Sequence, residues 1–355
     1  MALLFQPLTI GNVTLKNRIV VSPMCEYSSE DGFINDWHIV HLGSRAVGGA
    51  GLVMTEAAGV SPEGRITAED LGIYKDEHIE GLHRITKFIH AQNAVAGIQL
   101  AHAGRKASHE VPWKGGAELN AEDPRAWKTV APSPIPFKDS ETPPIELSVE
   151  GIQKVVTDFH KAAIRSIQAG FQVVEIHAAH GYLINSFLSP LSNQRKDKYG
   201  GSFENRCRLL LEIIDAVREV WTEEKPLFVR ISASEWITGG WTIEDSVQLS
   251  KLMKERKVDL VDCSSGGNSA SAKIEVKPLY QVPFAEKIRK QSNIKTAAVG
   301  LITKAEEAEE ILKNEQADLI FFAREMLRDP YFPLHAAKTL GVDIPWPVQY
   351  ERAKR

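Results

Sequence analysis

Residues 173–193 read VVEIHAAHGYLINSFLSPLSN, an apolar run that finishes in His177, His180 and Tyr182. Apolar β-branched residues suit a buried strand, but packing alone gives no reason for two imidazoles and a phenol where the chain turns. Three kinds of chemistry are open. A metal site asks for a third ligand at suitable spacing, and no cysteine or carboxylate follows nearby. Two structural histidines, each satisfied by its surroundings, are the second reading. The third is a pair of imidazole N–H donors converging on one ligand oxygen, with Tyr182 as a nearby proton donor.

Other reactive groups fall at the ends of further apolar runs. Arg230 closes one, where a buried cation requires a salt bridge or an electron-rich ring that becomes anionic on reduction. Gln99 offers an amide donor and an acceptor, which fits the edge of a heterocycle. Cys25 follows another run and is read either as a small core residue or as a site group. Gly300 and Leu301 precede a helix expected from about Thr303, while Ala323 and Arg324 open the last one. Paired helix starts of this kind suit a phosphate dianion; the competing reading is a turn glycine and a surface cation. No G-x-G-x-x-G follows any run, which argues against a tightly held dinucleotide on a Rossmann site.

The elements that must carry these groups alternate. The apolar runs are residues 19–21, 51–55, 96–100, 173–177, 227–231, 260–263, 296–299 and 319–322. Amphipathic stretches lie between them: Ile79, Leu82, Ile85 and Ile89 recur at three and four residues, as do Leu210, Ile213, Ile214, Val217 and Trp221. Eight β-then-α units predict a closed (β/α)8 barrel, with a doubly wound open sheet as runner-up. In such a barrel chemistry gathers where the strands end, which is where these groups fall. The opening LTIGNVTLKN predicts a hairpin turning at Gly11-Asn12 and plugging the lower end. Residues 102–149, rich in proline, are expected to form a long excursion after the third strand that acts as a lid. No boundary splits the chain, so residues 1–355 are expected to be one domain.

The totals exclude several functions. A net charge of −4 with both signs interspersed makes no case for nucleic acid or an anionic membrane. No apolar run approaches the roughly 20 residues of a membrane helix, and the N-terminus lacks secretory features. Three scattered cysteines give neither a disulfide framework nor metal spacing, and point to a reducing cytoplasm.

These strand ends resemble the old yellow enzyme family of FMN-dependent ene-reductases and NADPH dehydrogenases. The similarity runs through LKNRIVVSPMCEYS, GIQLAHAGRKAS, EIHAAHGYLINSFLSPLSNQRKDKYGGSFENRCR, RISAS, FAREMLRDPYF and PVQYER, nearly the whole chain. SPMCEYS and PVQYER are similar to the bacterial, thermophilic-like branch. The resemblance implies that Ser22, Pro23, Met24 and Cys25 line the flavin, with Ala57 and Gln99 against its ring system and Arg230 at its N1/C2 edge. Ala323 and Arg324 would hold the phosphate, with Gly300 beside them. His177 and His180 would bind the oxygen of the substrate's activating group, Tyr27 would assist, and Tyr182 would donate the proton. Cys25 would adjust flavin potential and substrate fit.

It further implies NADPH as reductant and α,β-unsaturated substrates such as enones, maleimides and nitroalkenes, in ping-pong turnover. It implies a homodimer or homotetramer in which Arg352, on the tail of residues 340–355, reaches a neighbour's site. Three features depart from the family's usual pattern. Ala323 replaces a common glycine. Glu26, if turned inward, would disfavour anionic ligands. The excursion is long, with Trp113 and Trp127 as candidate covers or packing residues. Two rival functions fit a phosphate-binding barrel, a sugar-phosphate aldolase or isomerase and a non-catalytic flavin- or phosphate-binding protein. The first would want a Schiff-base lysine or an acid–base carboxylate at a strand end, and none of the strand-end positions read for this purpose holds a lysine.

Overall fold

The computed structural model describes residues 2–354. Eight parallel strands close into a barrel, each neighbour pairing in sequence order and the eighth returning to the first. In order they are Ile19–Val21, Leu52–Gly59, Val95–Ala101, Val173–Ala178, Leu227–Ser232, Leu260–Ser264, Lys295–Ala298 and Leu319–Phe322. Helices follow every strand, among them Asp36–Val47, His78–Ala91, Val149–Gln168, Phe203–Arg218, Ile243–Glu255, Val282–Ser292 and Ala305–Lys313. The closed barrel, not the open sheet, is therefore the architecture.

Strand side chains alternate between two cores, as a period of two demands. Val20, Leu52, Val95, Val173, Phe228, Leu260 and Leu319 pack together inside the barrel. Their neighbours Ile19, Val53, Ala96, Val174, Val229, Val261 and Ile320 face the helices. The interior is closed below by the antiparallel hairpin Leu8–Ile10 and Val13–Leu15, whose Ile10, Val13 and Leu15 join the inner core. Its turn requires Gly11 at φ 55°, and a Cβ there would come within 2.3 Å of the Glu224 carbonyl oxygen.

The excursion after the third strand carries the short helices Gly104–Lys106 and Pro112–Lys114 and a two-residue pairing of Val130–Ala131 with Ile145–Glu146. Arg195 clamps its far half by donating to the carbonyls of Pro132 (3.1 Å) and Leu147 (2.6 Å). Two helix starts differ from expectation. The helix after the seventh strand begins at Ala305, because the Glu307 carboxylate accepts from the N–H groups of Thr303 and Lys304 and caps it later. Arg324 opens Arg324–Arg328, which is followed by another helix, Phe332–Thr339, so it does not open the last one.

Candidate active site at the barrel mouth

The fourth strand places His177 inward at its end. The following turn then reverses direction at His180, a non-glycine residue at φ 62°. The turn is held from below and from the side. Ser232 Oγ accepts from the His180 N–H at 2.9 Å, and Gly181 approaches the sixth-strand loop so closely that a Cβ would lie 2.3 Å from the Gly267 carbonyl oxygen. The two imidazoles stand edge to face with centroids 5.1 Å apart, and the Tyr182 ring lies 5.0 Å from that of His177.

Proton positions follow from these contacts. His177 Nδ1 accepts from the Ala179 N–H at 3.3 Å, which leaves the proton on Nε2. His180 Nε2 lies 2.7 Å from Ser264 Oγ, so the tautomer of His180 depends on which of the two donates. Burial, together with Arg230 and Lys106, lowers His180 to about 3, and burial and His180 lower His177 as well. Both rings are neutral donors at ordinary pH. Burial, with Cys25 and Tyr27 nearby, pushes the Tyr182 phenol well above its usual value and keeps its proton in place.

Below the histidines lies a charged layer. Arg230 Nε donates to Asp262, and its Nη2 donates to Ser22 Oγ at 2.7 Å. Glu175 lies 3.9 Å from Arg230 Nε and accepts from Gln99 Nε2 at 2.8 Å. Burial opposes the Arg230 charge, yet Asp262 and Glu175 outweigh it and hold the guanidinium charged.

Two cavities lie at the mouth, and the first of them opens from this layer. One, of about 240 Å³, runs from Ser22, Pro23, His180 and Arg230 to Gly300, Ala323 and Arg324. The other, about 180 Å³, lies under the excursion between Tyr27, Lys106, Phe137 and Tyr182. Cys25 is half-buried; burial and the carboxylates of Asp70 and Glu56 raise its thiol well above its ordinary value. It is a thiol, not a thiolate nucleophile. Ala57 pairs with Gln99 across the second and third strands, while Met24 packs onto the outer core. Glu26 turns away from the mouth, accepting from Trp37 Nε1 at 3.0 Å with His41 Nε2 at 3.4 Å, so its charge does not face ligands. Trp127 is a packing residue, bonded to the Glu63 carbonyl beneath Arg65. Trp113 is 65% exposed, its ring edge-on to that of Tyr27 with centroids 5.9 Å apart, at the rim.

Residues 3–342 match the NADH:flavin oxidoreductase / NADH oxidase family. An NADPH dehydrogenase of Bacillus cytotoxicus is 56% identical over 352 residues, 99% of this chain and 96% of that protein. The chain belongs to this family. The old yellow enzyme homologue of Zymomonas mobilis superposes with a TM-score of 0.76 at 26% identity, over 97% of this chain and 94% of that one. A 2-naphthoyl-CoA reductase complex reaches 0.85 at 27% identity over 96% of this chain, which spans only 52% of that protein's length. This is an FMN-dependent NAD(P)H oxidoreductase of the old yellow enzyme type.

The residues present fit FMN. The larger cavity joins an apolar and cationic end, at Pro23, Phe321 and Arg230, to a turn at Gly300 and an exposed cation, Arg324. Gly300 has φ 118°, and a Cβ there would come within 2.7 Å of Gln281 Nε2, so the turn is built for backbone approach. Ala323, in place of glycine, still borders this cavity.

Reading strand ends in sequence overlooked four groups. The expectation of no lysine there is incomplete, because Lys106 reaches the mouth. The turn Gly104–Lys106 folds back over the fourth strand's end, and Lys106 Nζ donates to the carbonyls of His180 (2.8 Å) and Gly267 (3.1 Å). Burial and Arg105 lower it to about 8, and it lies 5.2 Å from the Tyr182 ring centroid. Glu175 and Asp262 sit inside strands, one position pair below the ends, and Ser264 was passed over as a small polar residue. An inward period of two, counted back from His177, Ser232 and Ser264, would have found Glu175, Arg230 and Asp262. Arg352 is not brought to this mouth within the chain. Residues 344–349 pack at the opposite end, beside Lys16, Asn17 and Asn93, and Arg352 lies exposed in Glu351–Ala353.

Proposed function

We propose that the enzyme reduces activated C=C bonds, in enones, maleimides and nitroalkenes, with NAD(P)H. The observation that carries this is the pair of neutral imidazoles beside a protonated phenol, over a buried guanidinium. Bound FMN would supply the redox chemistry, hydride transfer from NAD(P)H to the β-carbon of the alkene. Ser22, Pro23, Met24, Cys25, Ala57, Gln99 and Arg230 would hold its ring system, and Gly300, Ala323 and Arg324 its phosphate.

The chain's own groups do the rest. His177 Nε2–H and, with Ser264 donating to its Nε2, His180 Nδ1–H grip the carbonyl or nitro oxygen. They stabilise the negative charge that grows there as the double bond is attacked, in a site shielded from water. Tyr182 gives its proton to the α-carbon; Lys106, beside its ring, favours loss of that proton by offsetting the phenolate charge. Tyr27, which lines the smaller cavity with Tyr182, assists in seating the ligand. One mouth receives both NAD(P)H and alkene, so turnover is ping-pong. Residues 102–149 act as the lid over it. Arg352 reaches the mouth from a neighbouring subunit of a homodimer or homotetramer.

Anaerobic stopped-flow measurement with 2-cyclohexenone tests this reading. NADPH should bleach the flavin, and the enone alone should restore it with one equivalent of saturated ketone. A flavin that is reduced by NADPH but reoxidised by no activated alkene would refute the assignment.

A further inference from the structure

Three inward-facing carboxyl, guanidinium and carboxyl groups share the floor of the mouth, and their charges do not balance. Arg230 commits Nε to Asp262 and Nη2 to Ser22. Glu175, with no measurable exposure, receives one hydrogen bond, from Gln99 Nε2, and its Oε2 has no partner among the described residues. Asp262 Oδ1 is likewise without a partner. One guanidinium thus faces two carboxyls in a dry interior. With both ionised the layer carries a net charge of −1, and a carboxylate buried without its own cation is costly. A proton on Glu175 Oε2 removes that charge.

We propose that Glu175 is a proton store coupled to the charge of the cofactor: at mildly alkaline pH, where it is ionised before reduction, it takes up one proton from solvent when a hydride arrives and releases it when the hydride leaves. The proposal rests on the FMN reading. The balance is simple. The hydride brings two electrons and one proton to the flavin and adds one negative charge over Arg230; a second proton, from water, goes to Glu175 Oε2, and no covalent bond of the protein changes. The alkene's own proton still comes from Tyr182. Glu175 is a positioning residue, since it acts through Arg230 and Gln99 and not on the reacting atoms.

The neighbouring groups support this. Burial, and then the charge of Asp262, raise Glu175 to about 8, against the opposing pull of Arg230 and Gln99. Charged or titratable groups facing it are Arg230 on the fifth strand and Asp262 on the sixth. His177, two residues along its own strand, stays neutral, and Gln99 on the third strand does not titrate. Cys25, which faces Arg230 from the first-strand loop, is held as a thiol. Burial raises Asp262 too, but its direct hydrogen bond from Arg230 Nε opposes this, whereas Glu175 lies 3.9 Å from that nitrogen, so the proton that neutralises the layer falls on Glu175.

The midpoint potential of bound FMN, measured by spectroelectrochemistry across pH, tests the proposal. In the wild type the slope of potential against pH should double above about pH 8, as two protons rather than one accompany two electrons. In Glu175→Gln, which keeps the shape and the acceptor for Gln99, the slope should stay single throughout. Should that variant not fold, redox-difference infrared spectra of the wild type at mildly alkaline pH give the same answer: reduction should gain a carboxylic C=O band and lose a carboxylate band. One unbroken slope in the wild type, an unchanged doubling in Glu175→Gln, or no such bands would overturn it while the FMN reading stands. A chain that binds no FMN overturns both.

Discussion

The two ends of this barrel are built from the same strands and do opposite things. At the lower end Val173, Phe228 and Leu260 point inward and meet Ile10, Val13 and Leu15 of the hairpin in an apolar plug. Two residues further along, the same three strands point Glu175, Arg230 and Asp262 inward, all buried. Two further again they present His177, Ser232 and Ser264. The interior thus changes from hydrocarbon to charge to hydrogen-bonding groups within two steps of a two-residue period. The lower end contributes stability by excluding water, whereas the upper end spends some of it on groups whose buried charge must be matched.

Removing the guanidinium should break the contrast most severely. Arg230→Ala leaves two buried carboxyls facing each other, and we expect a loss of roughly 3–5 kcal/mol in urea unfolding together with loss of flavin absorbance. Stability and cofactor retained in that variant would mean that the charged layer is not what we describe. Tyr182→Phe should touch chemistry alone. Flavin reoxidation by enone should slow about 10²–10⁴-fold while reduction by NADPH changes little, and stopped-flow traces slowed equally in both directions would remove its role as proton donor. At the other end Ile10→Ala should cost about 2–5 kcal/mol of stability with turnover per folded molecule unaltered. A variant with native stability and altered kinetics would reverse the assignment of the two ends.

Acid sharpens the comparison further. His180 titrates at about 3 in the folded chain, held down by burial, while an unfolded chain binds that proton below about 6.5. The unfolded state therefore holds more protons between these values, and stability falls as pH drops through that window. The cost is up to about 1.4 kcal/mol per pH unit for each such histidine. His180→Asn should flatten the pH dependence of unfolding relative to wild type, and identical curves would count against a neutral His180. The smallest effect is expected for Ser264→Ala. Loss of the partner that sets the His180 tautomer should weaken binding of a phenol ligand by about 1 kcal/mol, measured by flavin difference spectra; unchanged affinity would assign the tautomer to another cause.

Much of this layout was legible along the chain, and some was not. The bounds of the eight apolar runs lie within four residues of those of the observed strands, and 19–21 and 319–322 coincide with theirs, because buried parallel strands must be continuously apolar. His177, His180 and Tyr182 stand out because nothing in packing requires them at a strand end. Lys106 was missed for a geometric reason: it lies five residues beyond its strand and reaches the mouth only because Gly104, at φ 61°, turns the chain back over Leu183. Glu175 and Asp262 were missed because a carboxyl within an apolar run looks the same whether it faces a helix or the barrel axis. Glu26 was ambiguous until helix Asp36–Val47 supplied Trp37 and His41 as its partners.

By itself the sequence determined the alternation of strands and helices, the period of two within each strand, and the identity of the groups that end them. These are local properties, since side-chain direction along a strand repeats whatever lies beside it. Only the closed barrel decided which groups meet. Glu175, Arg230 and Asp262 are 55 and 32 residues apart in sequence, and only the pairing of the fourth, fifth and sixth strands sets one cation between two carboxyls. Whether such a set is a stable neutral layer or a store for a proton depends on distances of a few ångströms, which no spacing along a chain records.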